Sequence, residues 1–120
     1  MSNDTYLAVY VGSPDSPNMK AWTALSDAER GAKQQEGMAA WGAWMQKHSA
    51  AVVVMGGPLG KTKRVSRKGI EDTRNMMSGY VVVRASSHEE AAKLFEGHPH
   101  FSIFPGDGVE IMPVLPIPGA

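Results

Sequence analysis

Apolar and polar residues alternate with turn signals along the chain in an order that predicts strands and helices. Short runs rich in valine and tyrosine, bounded by glycine, proline or serine, are typical of β-strands. Two longer stretches begin with a Ser-x-x-Glu capping box, whose side chains satisfy free amides at a helix start. The predicted strands span residues 5–11, 51–55, 61–68, 79–85 and 109–114. The predicted helices follow Ser26 and Ser87 and end near His48 and at Gly97.

The order of these elements predicts the fold class. When the basic strand 61–68 is set aside, the order is βαββαβ, which is the split pattern of ferredoxin-like folds. We therefore predict a single α+β domain over residues 1–120, with its core at about 5–114 and an extended tail at 115–120. It has an antiparallel sheet, an extra hairpin strand, and helices on one face. The proline- and serine-rich composition of residues 12–20 predicts a loop. A glycine inside a helix is unfavourable, so Gly37 predicts a break or kink in the first helix.

Alternation within the strands predicts two different sheet faces. One face is aliphatic and is expected to meet the helices: Leu7, Val9, Val11, Val81, Val83, Val109, Ile111 and Pro113. The other collects larger and more polar side chains: Tyr6, Tyr10, Tyr80, Arg84, Glu110 and Met112. Because large apolar patches usually mark interfaces, this second face predicts a cavity or a dimer interface. A partly solvated surface with ordinary cross-strand pairs is the alternative.

Charge and composition narrow the possible partners. Twelve basic and twelve acidic side chains cancel, so no global field favours nucleic acid or membranes. Residues 61–74 hold six basic and two acidic residues but no aromatic residues for base stacking, which favours a solvated edge. The chain has no cysteine, no signal-peptide pattern and no long apolar run. We expect a cytoplasmic protein that binds neither nucleic acid nor membrane.

The loop His98-Pro99-His100 is the strongest candidate for chemistry. Histidine can act as general acid or base near neutral pH. Asp107 and Glu110 follow closely and are able to orient an imidazole. In the alternative, His98 caps the C-terminal end of the helix and His100 is a surface residue. One His-x-His pair with no third histidine near in sequence is a weak metal signal, so we expect no metal and no cofactor.

Several motifs in order resemble the YCII-related superfamily, and within it the DGPF-type branch. They lie at residues 38–41 with Trp44, then at 57–63, 79–80, 86–91, 98–99 and 109–113. The branch is named for Asp-Gly-Pro-Phe, and this chain has Gly56-Gly57-Pro58-Leu59 there. The resemblance implies a ferredoxin-like domain that dimerises through its sheets, as in dimeric α/β barrels.

The same resemblance implies less about activity. Some YCII-like proteins are enzymes that act on small aromatic compounds, and a His–Asp pair in the cleft has been suggested as catalytic. In that pattern the histidine lies early on the first helix, and the aspartate precedes the proline of the second-helix motif. This chain has no histidine near Ala40, and the residue before Pro99 is His98. The pair is therefore not carried over.

Two functional hypotheses remain. In the first, the chain is a homodimer with a small-molecule pocket between the sheet face and the 98–107 loop, acting on a small aromatic or acyl compound. The predicted catalytic residues are His98, His100 and Asp107. The predicted substrate-binding residues are Tyr10, Tyr80, Arg84 and Glu110. In the second, it is a non-catalytic interaction or regulatory dimer module.

Overall fold

The computed structural model describes residues 4–118. The strands are β1 (Asp4–Val11), β2 (Val52–Pro58), β3 (Thr62–Ser66), β4 (Gly69–Thr73), β5 (Met77–Ala85) and β6 (Gly108–Pro113). The helices are α1 (Pro17–Ala24), α2 (Asp27–Lys47), α3 (His88–Lys93) and α4 (Pro99–Ser102). Four strands form an open antiparallel sheet in the order β2-β5-β1-β6. The α+β, ferredoxin-like prediction is confirmed. Of the predicted tail, residues 119–120 lie outside the described part.

Two sequence predictions for the first half of the chain are wrong. Residues 12–20 are not all loop, because Ser16 caps α1 by accepting a hydrogen bond from the Met19 amide and Pro17 starts the helix. Helix α2 also runs through Gly37 without a break. A side chain at Gly37 would meet the ring of Phe104 at 2.5 Å, so this glycine admits a close aromatic contact and does not interrupt the helix.

The basic segment contains two strands, where the sequence predicted one. β3 and β4 pair only with each other and form a separate two-stranded sheet. Lys63 and Asp72 form an exposed ion pair across it, with 2.6 Å between Nζ and Oδ1. Val65 and Ile70 are directly opposite each other and are 75% and 72% exposed. The hairpin is therefore an arm with an apolar pair that the described chain leaves in solvent.

The strand register reverses the predicted faces of β1. Tyr6, Ala8 and Tyr10 lie opposite Val83, Val81 and Gly79, and cross-strand partners share a face. These β1 residues are buried in one core with Trp44 of α2, Ala91 of α3 and Phe95. The predictions for β5 and β6 are correct, since Val81, Val83 and Ile111 face the same core. Tyrosines, and not Leu7, Val9 and Val11, are the β1 residues beneath the helices.

The reason for the reversal is visible beside Tyr10. Its cross-strand partner is Gly79, and a side-chain carbon there would lie 3.3 Å from the Tyr10 ring. The missing side chain gives the ring its place on the helix side of the sheet. The other face carries no helix in the described chain. It carries Leu7, Val54, Tyr80, Val82, Arg84, Glu110 and Met112, together with Val9, which is only 5% exposed. We call this the uncovered face.

None of the helices within residues 4–118 combines the length and the apolar character needed to cross a bilayer.

Candidate functional site

A fully buried histidine lies at the centre of the helix-side core. His98 is 0% exposed and follows α3 in the turn that leads into α4. Its ring is surrounded by aromatic rings, with centroid distances of 4.6 Å to Trp41, 4.9 Å to Trp44 and 5.1 Å to Tyr10. Trp44 is fixed by a 2.8 Å hydrogen bond from its indole nitrogen to the Leu94 carbonyl. The imidazole is therefore held in an apolar, aromatic surrounding.

Hydrogen bonds connect this histidine to Tyr10 and to His100. The Nδ1 atom of His98 accepts the backbone N–H of His100 at 3.0 Å, which makes His98 the N-cap of α4. Its Nε2 atom lies 3.4 Å from the Tyr10 hydroxyl oxygen. The Nε2 atom of His100 lies 2.9 Å from the Val11 carbonyl, an acceptor, so that nitrogen carries a hydrogen. We call these three residues the Tyr10–His98–His100 cluster.

Burial sets the charge states of His98 and Tyr10. Desolvation by burial, with smaller contributions in the same direction from the nearby His100 and His48, lowers the pKa of His98 to about 4. Burial also raises the pKa of Tyr10 above its ordinary value. At neutral pH, therefore, His98 is a neutral imidazole and Tyr10 is a protonated phenol.

A cavity of about 610 Å³ adjoins the cluster at Tyr10. Its lining residues are Tyr10, Met38, Trp41, Gly42, Met45, Met55, Gly56, Gly57, Pro58, Ser78, Gly79, Tyr80 and Phe104. They come from β1, from α2, from the β2–β5 edge of the sheet and from the segment after α4. None of these lining residues is acidic, basic or histidine. The cavity is thus suited to an uncharged or weakly polar ring.

The glycines of β2 shape one wall of this cavity. Gly56 has a φ of 67°, a left-handed backbone conformation that residues other than glycine rarely adopt. A side-chain carbon at Gly56 would also overlap the Tyr80 carbonyl of the neighbouring strand. Gly56, Gly57 and Pro58 therefore form a cavity wall at the edge of the sheet, a role beyond the strand end that the sequence predicted.

The structure brings three of the seven predicted site residues together, and these are Tyr10, His98 and His100. Both alternatives for the histidines are wrong, because His98 caps the start of α4 and His100 is only 8% exposed. Asp107 does not accept a hydrogen bond from either imidazole. Its exposed carboxylate accepts the Ser13 amide at 2.9 Å, and its own amide donates to the Val11 carbonyl at 3.0 Å. These two hydrogen bonds link the loop after α4 to the segment at the end of β1.

The remaining predicted residues lie on the other side of the sheet. Tyr80 and Glu110 are both cross-strand partners of Val9 and share the uncovered face with it. Arg84 is exposed on that face as well. Only Tyr80 also borders the cavity, at the β2–β5 edge. The predicted grouping of Arg84 and Glu110 with the His98 loop is therefore wrong, because the register places them on the opposite face.

Sequence reasoning missed several lining residues. Trp41 and Met45 were visible as part of an apolar stripe on α2, but their spacing is equally typical of plain core residues. No sequence pattern pointed to Phe104, because its position at the cavity depends on its close approach to Gly37. Across residues 4–118, no group of three or more metal-ligating side chains is arranged to hold an ion.

Comparison with known proteins agrees with this architecture. A solved structure of 5-chloro-2-hydroxyhydroquinone dehydrochlorinase (TftG) from Burkholderia phenoliruptrix AC1100, in complex with 2,5-dihydroxybenzoquinone, matches with a TM-score of 0.52. The two are 17% identical, and the match covers 90% of each chain, which is a likeness of fold. No curated protein matches this sequence. The family model of the YCII-related domain matches residues 15–118, and the chain belongs to that family.

Proposed function

We propose that this protein is an enzyme that binds a small aromatic compound in the cavity and acts on it by acid–base chemistry. The observation that carries the proposal is the position of Tyr10. Its side chain lines the ring-walled cavity, and its hydroxyl lies 3.4 Å from Nε2 of the buried His98. Cavities of several hundred cubic ångströms with few polar groups are typical of small-molecule sites.

The lining favours an aromatic compound over a simple acyl compound. Tyr10, Trp41 and Phe104 offer ring faces and edges, and aromatic pairs gain from offset or edge-to-face contact. Met45 and Met55 add flexible, polarisable surface that adapts to a flat ligand. The solved protein of similar fold holds 2,5-dihydroxybenzoquinone, a flat oxygenated ring. At 17% identity this is compatible with the proposal but does not carry it.

The polar groups of the proposed site lie in series. Tyr10 is the group that touches the ligand, and His98 is one hydrogen bond behind it. His100 positions His98 through its backbone amide. His98 and His100 therefore act through Tyr10 in this proposal, and Asp107 holds the loop that follows α4.

Calorimetric melting with 2,5-dihydroxybenzoquinone or hydroquinone tests the ligand proposal. A ligand at ten times its dissociation constant stabilises the native state by about 1.4 kcal/mol, or roughly 5 °C for a domain of this size. Gly42→Phe places a ring at the cavity wall, where a new side-chain carbon meets nothing within 4 Å, and is expected to abolish the shift.

The matched control is Gly31→Phe. Gly31 lies on the same helix, has the same free space and does not line the cavity, so its variant keeps the shift. No shift in the wild type with either compound, or an equal shift in both variants, contradicts binding in this cavity.

We also propose that the protein is a homodimer that buries the uncovered face. Val54 and Met112 are 45% and 41% exposed on that face, and Leu7 and Val82 lie between them. Light scattering is expected to give twice the mass of one chain. Val54→Lys is expected to shift the protein towards monomer, whereas Ala39→Lys on the exposed side of α2 leaves the mass unchanged. A monomeric wild type at micromolar concentration would rule the interface out.

The second candidate is a non-catalytic interaction or regulatory dimer module. The observation that favours it is the β3–β4 arm, whose Val65 and Ile70 pair with each other and are 75% and 72% exposed to solvent in the described chain. A dimer by light scattering together with no ligand-induced melting shift would support this candidate over the enzyme. The cytoplasmic location expected from the sequence stays a prediction.

A further inference from the structure

We propose that His98 is held as the neutral tautomer with its hydrogen on Nε2, so that Tyr10 directs its own hydroxyl hydrogen into the cavity. The ligand of this site then carries an uncharged oxygen acceptor, such as a carbonyl, on its ring. The ligand half of this inference rests on the proposed function, and the tautomer half does not.

The first step concerns Nδ1 of His98. It lies 3.0 Å from the backbone nitrogen of His100, which can only donate. The Nδ1 atom must therefore keep its lone pair, and the hydrogen of a neutral imidazole must be on Nε2. A charged imidazolium is disfavoured at this place, because the ring is fully buried among Tyr10, Trp41 and Trp44 and no carboxylate bonds to it.

The second step concerns the Tyr10 hydroxyl. Nε2–H of His98 has Tyr10 Oη as its partner, so the tyrosine oxygen accepts and its own hydrogen stays free to donate. Within residues 4–118, His98 is the one hydrogen-bond partner of this hydroxyl. The Ser78 hydroxyl, on another lining residue, donates to the Tyr10 backbone carbonyl at 3.1 Å. Because Tyr10 is one of the residues that line the cavity, its free hydroxyl hydrogen is the donor that we assign to ligand binding.

The third step is the ligand class. An unpaired donor beside an otherwise apolar cavity is unfavourable unless a ligand supplies an acceptor. Tyr10 remains protonated at neutral pH because burial raises its pKa, so it donates and does not accept a proton from the ligand. A flat ring bearing a carbonyl oxygen satisfies both the aromatic walls and the donor.

Nuclear magnetic resonance of the free protein tests the tautomer directly. A long-range ¹H–¹⁵N spectrum of ¹⁵N-labelled protein at pH 7 distinguishes Nε2–H from Nδ1–H for each of the four histidines. We expect the Nε2–H pattern for His98, assigned by its loss in His98→Gln. An Nδ1–H pattern or an imidazolium pattern at pH 7 overturns the inference whatever the protein binds.

A matched pair of probes tests the donor. Acetophenone and α-methylstyrene have the same shape and differ in a carbonyl oxygen against a methylene carbon. We expect acetophenone to bind the wild type roughly three- to tenfold more tightly, the range of one neutral hydrogen bond. Tyr10→Phe is expected to remove this preference and to leave α-methylstyrene binding unchanged. Equal affinities in the wild type overturn the inference but leave the proposed function standing. Binding of neither probe overturns the cavity proposal and the ligand half of this inference with it.

Two His98 variants separate positioning from simple packing. His98→Gln keeps a donor near Tyr10, whereas His98→Asn keeps an acceptor for the His100 amide and lacks the reach to Tyr10. We expect the glutamine variant to retain the acetophenone preference and the asparagine variant to lose it, with both still folded. If both variants lose the acetophenone preference equally, His98 only fills space in the core. If the asparagine variant retains the preference, Tyr10 is oriented without a hydrogen bond from residue 98.

Discussion

The two faces of the four-stranded sheet are both largely apolar, and yet they meet different surroundings. The helix side carries Tyr6, Tyr10 and small or β-branched residues, which are buried or partly buried. The uncovered face carries Leu7, Val82 and Val54, which remain partly or largely exposed in the single chain. If hydrophobicity alone decided, the helices would cover the aliphatic side of β1. In the structure they cover the tyrosine side.

A buried polar atom is one difference between the two faces. A buried tyrosine hydroxyl needs a hydrogen-bond partner, and Tyr10 finds His98 on the helix side. Aliphatic side chains have no such requirement and can be covered by any apolar surface. The covered face is thus built for specific contacts, and the uncovered face for broad apolar association.

The largest expected effect comes from α2, which covers the helix side. Trp44→Ala removes a buried ring that packs on His98 and Phe95, and we expect a loss of about 3–5 kcal/mol in the free energy of unfolding. Met38→Ala on the same helix, at a side chain 71% exposed, is expected to change it by less than about 0.5 kcal/mol. Urea denaturation measures both, and similar losses would contradict the assigned core.

Neighbouring valines on β5 compare the two faces most directly. Val83→Ala acts at a fully buried side chain beneath the helices and is expected to destabilise by about 2 kcal/mol. Val82→Ala acts on the uncovered face, and at protein concentrations low enough to populate monomer we expect less than about 1 kcal/mol. If Val82→Ala destabilises the monomer as much as Val83→Ala does, another part of the protein packs on the uncovered face.

Acid is expected to weaken the helix side through His98. Its pKa is lowered in the folded state, from an ordinary value of 6.5 to about 4, so the unfolded chain binds the proton first. The stability contributed by the neutral form is therefore complete above about pH 6.5 and is lost as the pH falls towards 4. Between pH 7 and pH 5 we expect a loss of about 2 kcal/mol, to which His48 adds in the same direction.

Urea denaturation at the two pH values measures this loss, and His98→Gln supplies the control. The variant lacks the titrating imidazole, so the pH-dependent part assigned to His98 disappears while other groups still contribute. An unchanged pH dependence in the variant would mean that other residues cause the acid sensitivity.

The smallest effect is expected on the β3–β4 arm, away from both faces. Asp72→Asn removes the carboxylate charge of the Lys63 pair, and both side chains are largely exposed. Exposed ion pairs contribute little, so the free energy of unfolding should change by less than about 0.5 kcal/mol. A larger change measured by urea denaturation would show that the arm is buried against a partner in solution.

Particular residues show how far sequence reasoning reached. The Ser-x-x-Glu sequences at Ser26 and Ser87 located α2 and α3, because their signal is local; the structure forms the full capping box at Ser26 and the serine half of it at Ser87. The short helix α4 was missed, because its cap is His98, whose side chain is placed by the core and not by a standard capping pattern. The site was predicted in part, since the His98 loop was singled out while Arg84 and Glu110 were wrongly grouped with it.

The sequence by itself determined the order of elements, the α+β class and the family, since these depend on local periodicity, caps and ordered motifs. Only the tertiary structure decided which face of β1 is covered, because that choice depends on Gly79 opposite Tyr10 and on a hydrogen-bond partner 88 positions away in the chain. It also decided that His98 is buried and that Gly56 shapes a cavity wall. Periodicity reports that a strand has two sides, and long-range packing selects between them.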